Sequence, residues 1–238
     1  MELRSTVSLL GRFPALAGVD LDVAVGHIVL AQGPNGAGKT SLLRTCAGLM
    51  PIASGTATVL GCDLVADRAS VRPLVGLLGH ATSLYDDLTV LDNVRFWARA
   101  AGVDAVDATA ALDRVGLVER LRGLPVHRLS TGQRRRASLA AMIVRRPRLW
   151  LLDEPHAGLD QAGRDLIDEL VESAAVAGAT VIFASHELDR AVAVADRVIT
   201  ITGGVVSHET DGGRQRRVGA ATATTATTAA TIGASDVP

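Results

Sequence analysis

Lysine is almost missing from this chain. Of 24 basic residues in 238, 23 are arginine and only Lys39 is lysine, so one position keeps an ammonium where the rest of the chain uses guanidinium. Cysteine is scarce too. Cys46 and Cys62 stand apart with no C-x-x-C spacing, which speaks against a disulfide framework or a zinc site and for a reducing compartment. A net charge of −1 supplies no general field for nucleic acid, and no nucleic-acid partner is expected. Long apolar runs are absent: VIFAS and AVAVA fall far short of the ~20 residues that cross a bilayer. MELRSTVSLL has no long apolar stretch followed by a small-residue cleavage site, so no signal peptide is expected. If the protein works at a membrane, another chain must supply the spans.

What is present is a hydrophobic content of 48%, enough to bury a core in one domain of two lobes or in two small domains. From about Val7 to Ile201, short apolar runs alternate with helical patterns, the mark of an α/β protein with a mainly parallel sheet. After Gly212 the character changes. RQRR leads into ATATTATTAATIGAS, an Ala/Thr tract without charge or aromatic that cannot form a packed core, so residues 212–238 are expected to be a disordered tail.

The single lysine lies in GPNGAGKT, Gly33 to Thr40, which matches G-x-x-x-x-G-K-[ST]. In that pattern a glycine-rich turn aims backbone N–H groups at a phosphate and the next helix offers its positive N-terminus. VGHIVLAQ before it reads as a strand and SLLRTCAGL after it as a helix, which is the context the motif needs. An ammonium on a thin stem fits between the β- and γ-phosphates, whereas a planar guanidinium is a wide fork. Gly33, Pro34, Asn35, Gly36, Ala37 and Gly38, with Lys39, Thr40 and Ser41, are the candidate phosphate-binding set, and the Thr40 hydroxyl is a candidate Mg²⁺ ligand.

RPRLWLLDEP, Arg146 to Pro155, carries the second signal. The apolar run Leu149 to Leu152 reads as a strand buried on both faces, and two carboxylates follow at its C-terminal end, where open α/β sheets place their ligands. Asp153 is a candidate Mg²⁺ ligand through water, and Glu154 a candidate base that polarises the water attacking a γ-phosphate. Between the two lies RLSTGQRRR, locally a capping box with Ser130 as N-cap and Gln133 three residues on. Gly132 in its first turn costs helix stability but bares backbone N–H at a positive helix end, an anion site.

With these three stretches the sequence resembles the nucleotide-binding subunits of ABC transporters, over nearly all of the chain up to the tail. The resemblance implies ATP and Mg²⁺ as ligands, with Gly33 to Thr40 as the Walker A loop, Leu129 to Gln133 as the signature, Leu149 to Asp153 as Walker B and Glu154 as the catalytic glutamate. AGLD, Ala157 to Asp160, is similar to the D-loop with Gly158 where alanine is usual, and His186 in VIFASHE stands at the switch histidine. It implies a P-loop, RecA-like α/β core over residues 1–211 with an N-terminal antiparallel β lobe and a helical lobe from about His80 to Arg146. It further implies a head-to-tail pair with a second copy or another ABC subunit, placed peripherally on the cytoplasmic face of the membrane beside an integral membrane subunit.

Two positions depart from the family pattern. The glutamine that senses Mg²⁺ and the membrane partner corresponds to His80, a candidate metal or coupling residue whose imidazole differs in geometry. The aromatic that stacks on adenine corresponds to Leu10, so either Phe13 takes that part or aliphatic packing holds the base. A GTPase needs N-K-x-D, which a chain with one lysine at Lys39 cannot contain, and a chromosome-type ATPase needs long coiled coils for which the interval here is too short. LTVLDNVRFWARAAG, His80, RLSTGQRRR and LWLLDEP together resemble the ATPases of haem exporters in cytochrome c maturation. The other readings left open are an exporter of a drug, lipid or peptide, and a soluble ABC ATPase outside transport.

Overall fold

The computed structural model describes residues 1–79, 81–104 and 106–214. His80 and the Ala/Thr tract beyond residue 214 lie outside the described residues.

Two sheets form the framework. An antiparallel sheet runs β2–β1–β4–β5, from β1 (Glu2–Leu10), β2 (Phe13–Asp22), β4 (Ser54–Val59) and β5 (Cys62–Asp63). The second sheet has the order β10–β9–β3–β8–β7–β6. Its strands are β3 (Ile28–Gln32), β6 (Val75–Leu78), β7 (Leu149–Asp153), β8 (Thr180–Ala184), β9 (Arg197–Thr202) and β10 (Val205–Asp211). All neighbours in it are parallel except the β9–β10 pair. The helices are α1 (Lys39–Cys46), α2 (Leu64–Asp67), α3 (Val90–Ala100), α4 (Val106–Arg114), α5 (Glu119–Arg122), α6 (Thr131–Ile143), α7 (Gln161–Val176) and α8 (Leu188–Val194).

The central strands are apolar throughout because both faces are covered. Along β7, Leu149 and Leu151 point into a core shared with α1 and the antiparallel sheet, while Trp150 and Leu152 point into a core shared with α6 and α7. Ile182 and Phe183 of β8 divide in the same way. This period of two in a run without polar residues is what a doubly covered parallel strand requires. A mainly parallel α/β sheet with an antiparallel lobe and a helical segment between β6 and β7 is the architecture the sequence predicts.

The first strand begins at Glu2, ahead of the alternating pattern legible from about Val7. Its inward face is partly polar, which hid it: Thr6 is buried and donates to the Thr56 carbonyl at 2.6 Å, and buried Ser8 accepts from the Thr45 hydroxyl at 3.2 Å. At the other end, Gly212 and Arg214, read from sequence as tail, pack on the junction before β9. A Cβ on Gly212 would lie 2.0 Å from the Ala195 carbonyl oxygen, and Arg214 pairs with Asp196 at 2.7 Å.

Strand order sets the site. Because β8 lies between β3 and β7 and all three run parallel, the segments leaving their C-terminal ends emerge side by side. The loop at Gly33, the turn at Glu154 and the turn at His186 therefore meet on one edge of the sheet.

Candidate active site

A cavity of about 550 Å³ opens on that edge, and its walls include Asn35 to Ser41, Asp153, Glu154 and His186, with Leu10 and Phe13 on its rim. The loop after β3 can be built only from glycine at its first position. Gly33 has φ 143, and a Cβ there would stand 2.2 Å from the Ile201 carbonyl oxygen. The N-cap of α1 is Gly38, so no side chain caps the helix, and by helix geometry the amides of its first turn lack intrahelical partners. By contrast, α6 begins with the capping box predicted from sequence, Ser130 and Gln133 each bonding the other's backbone. An uncapped first turn facing a cavity, with the helix dipole behind it, suits an anionic phosphate.

Lys39 is 8% exposed and donates to the carbonyls of Gly33 at 2.7 Å and Pro34 at 3.0 Å. An ammonium carries three donors, so among the described residues one remains for a phosphate oxygen. Next to it, the Thr40 hydroxyl donates to Asp153 Oδ2 at 2.7 Å. A hydroxyl and a carboxylate in contact, with phosphate oxygens and water completing the shell, are the donor set a hard dication takes. Among the described residues no group of three or more His, Cys, Asp or Glu is arranged to hold a metal ion, so a cation here would rest on Thr40, Asp153 and the nucleotide itself.

Glu154 and His186 form a pair across the ends of β7 and β8. Glu154 Oε2 accepts from the His186 backbone N–H at 3.1 Å, and His186 Nε2 lies 3.4 Å from Glu154 Oε1. The glutamate side chain is 15% exposed and the imidazole 59%, so the carboxylate is sheltered while the histidine reaches outward. At the rim, Leu10 and Phe13 are register partners across the β1–β2 hairpin and are 65% and 80% exposed. Both residues weighed for the base are thus on the same wall.

Ser130, Gly132 and Gln133 are elsewhere. They line a second cavity of about 540 Å³ with Gly158 and Asp160, and it shares no lining residue with the first. Gly158 has φ 74, a left-handed conformation that glycine adopts without strain, which accounts for glycine in place of alanine. The chain therefore carries two separate cavities, one at the loop after β3 and one at the start of α6.

Residues 16–157 match the family model described as ABC transporter. The chain belongs to the ABC transporter family. Among its relatives is the cytochrome c biogenesis ATP-binding export protein CcmA of Bradyrhizobium diazoefficiens, 40% identical over 77% of this chain and 90% of that protein. CcmA of Nitrosomonas europaea is 37% identical over 77% and 87%. ATP-binding cassette sub-family A member 7 of Mus musculus is 40% identical over 80% of this chain, which spans only 9% of that much longer protein. Among solved structures, an ATP-binding subunit of an ABC transporter superposes with a TM-score of 0.81 at 24% identity, covering 91% of each chain. A dimeric cassette bound to ADP and Pi superposes with a TM-score of 0.78 at 24% identity, covering 88% of this chain and 97% of that one. At that identity the likeness establishes the fold, that of a P-loop ABC cassette.

Two groups of this ABC cassette escaped the sequence reading. Arg135, in the run RLSTGQRRR, is buried against the end of β7. The signal available was its place on the apolar side of α6, three and four residues before Ser138 and Leu139, which are also buried. The other is a chain behind Glu154: buried His156 bonds Asp168 at 2.9 Å, and Asp168 pairs with Arg190 of α8. Its members are 12 and 22 residues apart, and no local pattern announces them.

Proposed function

We propose that this chain is the nucleotide-binding, ATP-hydrolysing subunit of an ABC exporter. The carrying observation is the convergence of Lys39, the Thr40–Asp153 pair and the Glu154–His186 pair on one cavity at the ends of three adjacent parallel strands. Lys39 and the first-turn amides of α1 hold the β- and γ-phosphates. Mg²⁺ on Thr40 and Asp153 would spread their negative charge. Glu154 orients and polarises the attacking water, as a sheltered carboxylate can, and His186 reaches the γ-phosphate from the neighbouring strand end. Leu10 and Phe13 together offer the apolar wall for adenine.

Two copies close head to tail, so that Ser130, Gly132 and Gln133 of one meet the nucleotide on the P-loop of the other. Two separate half-sites on each chain support this arrangement. Hydrolysis reopens the pair and drives a separate membrane subunit. No helix among the described residues is long and apolar enough to cross a membrane, in keeping with a peripheral subunit on the cytoplasmic face. His80, in the position of the coupling glutamine, would sense that partner. For the cargo pathway we favour haem delivery to c-type cytochromes, on the four stretches quoted above and on relatives named for cytochrome c biogenesis export. A lipid exporter is the second reading, because a human relative named phospholipid-transporting ATPase ABCA7 is 39% identical over 195 residues.

The test of the nucleotide reading is Lys39. Lys39→Ala is expected to abolish Mg-ATP turnover and weaken ATP binding, and Lys39→Arg to be nearly as harmful because a guanidinium does not fit the loop. Wild-type turnover in the arginine variant would contradict the part given to the lysine.

A further inference from the structure

Arg135 lies in the second turn of α6, the helix that starts at the signature. Only 8% of it is exposed, and its guanidinium donates to three carbonyls: Nη1 to Gly79 O, and Nη2 to both Asp153 O and Glu154 O, each at 2.6 Å. These are short for N–H···O bonds, as charge-assisted ones are. Burial lowers the guanidinium's pKa, and the charges of Asp153 and Glu154 oppose that shift.

The three carbonyls belong to two segments that matter for hydrolysis. Gly79 ends the segment after β6 and directly precedes residue 80. Asp153 ends β7 and Glu154 follows it, and Glu154 has φ 50, a left-handed backbone that a residue with a Cβ rarely adopts. Such a conformation persists only where neighbours fix it. Here the Glu154 carbonyl is held by Arg135 and by the Ala157 N–H at 3.2 Å, and its own N–H by the Ala184 carbonyl at 2.9 Å. A lysine could not span these acceptors, because it presents a point charge where arginine presents a planar fork.

We propose that Arg135 is a positioning residue for hydrolysis, clamping the backbone that carries Glu154 to α6 and to the segment before residue 80, so that a shift of α6 is transmitted to the catalytic carboxylate. The proposal rests on Glu154 being the base. The bland reading is a buried cation that merely satisfies strand-end carbonyls. That reading expects lost stability without a selective loss of turnover.

Full-length wild type, Arg135→Gln, Arg135→Lys, Glu154→Gln and the double variant Arg135→Gln/Glu154→Gln are compared for Mg-ATP turnover, KM and thermal midpoint. A displacement of about 1 Å at a reacting group costs roughly 10²-fold, so Arg135→Gln is expected to lower kcat on that scale. Its KM should stay within about threefold, and Arg135→Lys should fall between it and wild type. On the Glu154→Gln background the same substitution should change turnover less than about twofold, since it acts through the missing carboxylate. Should the glutamine variant fail to fold, the lysine variant carries the same split between kcat and KM. If Glu154→Gln lowers turnover to a measurable residue while folded Arg135 variants keep wild-type kcat, or lose it equally on both backgrounds, the clamp is overturned alone. If Glu154→Gln itself turns over normally, the reading of Glu154 falls, and the clamp with it.

Discussion

At the scale of single residues, a left-handed backbone falls on Glu154, the residue proposed as the base. Among the described residues, four other than glycine have positive φ, namely Ser5, Leu60, Arg146 and Glu154, and of these only Glu154 lines the cavity at the strand ends. Its place just after an apolar strand was legible in the sequence; its backbone was not, because nothing local in LWLLDEP marks a left-handed turn. The two cysteines offer a check on the packing around α1. Burial pushes the Cys46 thiol up to about 12, and its side chain belongs to the core under α1, whereas Cys62 is half-buried on β5. The thiolate is the reacting form, so a maleimide or iodoacetamide at pH 8 should modify Cys62 and spare Cys46 in the native protein. Both should react after denaturation. Native labelling of Cys46, read by peptide mass spectrometry, would contradict a rigid α1 on the sheet.

Elements were readable where a period or a cap wrote them locally. The capping box placed the start of α6 at Ser130, and the unbroken apolar run Leu149 to Leu152 placed β7 in the interior. The order β3–β8–β7, which makes His186 the neighbour of Glu154, depends on long-range pairing that no local pattern records. The same holds for the joint among the segment after β7, α7 and α8. There Asp168, at 20% side-chain exposure, receives both His156 and Arg190, and Arg190 also reaches Asp165 at 2.8 Å. Changing Asp168 to Asn removes the charge that both partners face. A hydrogen-bonded charge lost at a partly buried site costs about 1–3 kcal/mol, or a fall in thermal midpoint of several degrees for a domain of this size. An unchanged midpoint in a calorimetric scan would show that the joint contributes nothing to stability.

The whole molecule presents two cavities that share no lining residue, and the proposed head-to-tail pairing of chains would give both a purpose. The cargo question is answered at this scale too, through the partner rather than the ATPase. Deleting the gene and staining membrane proteins for covalent haem should show loss of c-type cytochromes, restored by the wild-type gene and not by the Lys39→Ala form. Undiminished cytochromes would favour the lipid reading and leave the ATPase assignment standing.

The central claim, a composite site closed by ATP, is tested most directly by light scattering on size-exclusion chromatography of Glu154→Gln, which retains the loop and lacks the charge proposed to polarise water. The account predicts a monomer without nucleotide and a stable dimer with Mg-ATP. A variant that binds ATP yet elutes only as a monomer at high protein concentration would contradict it.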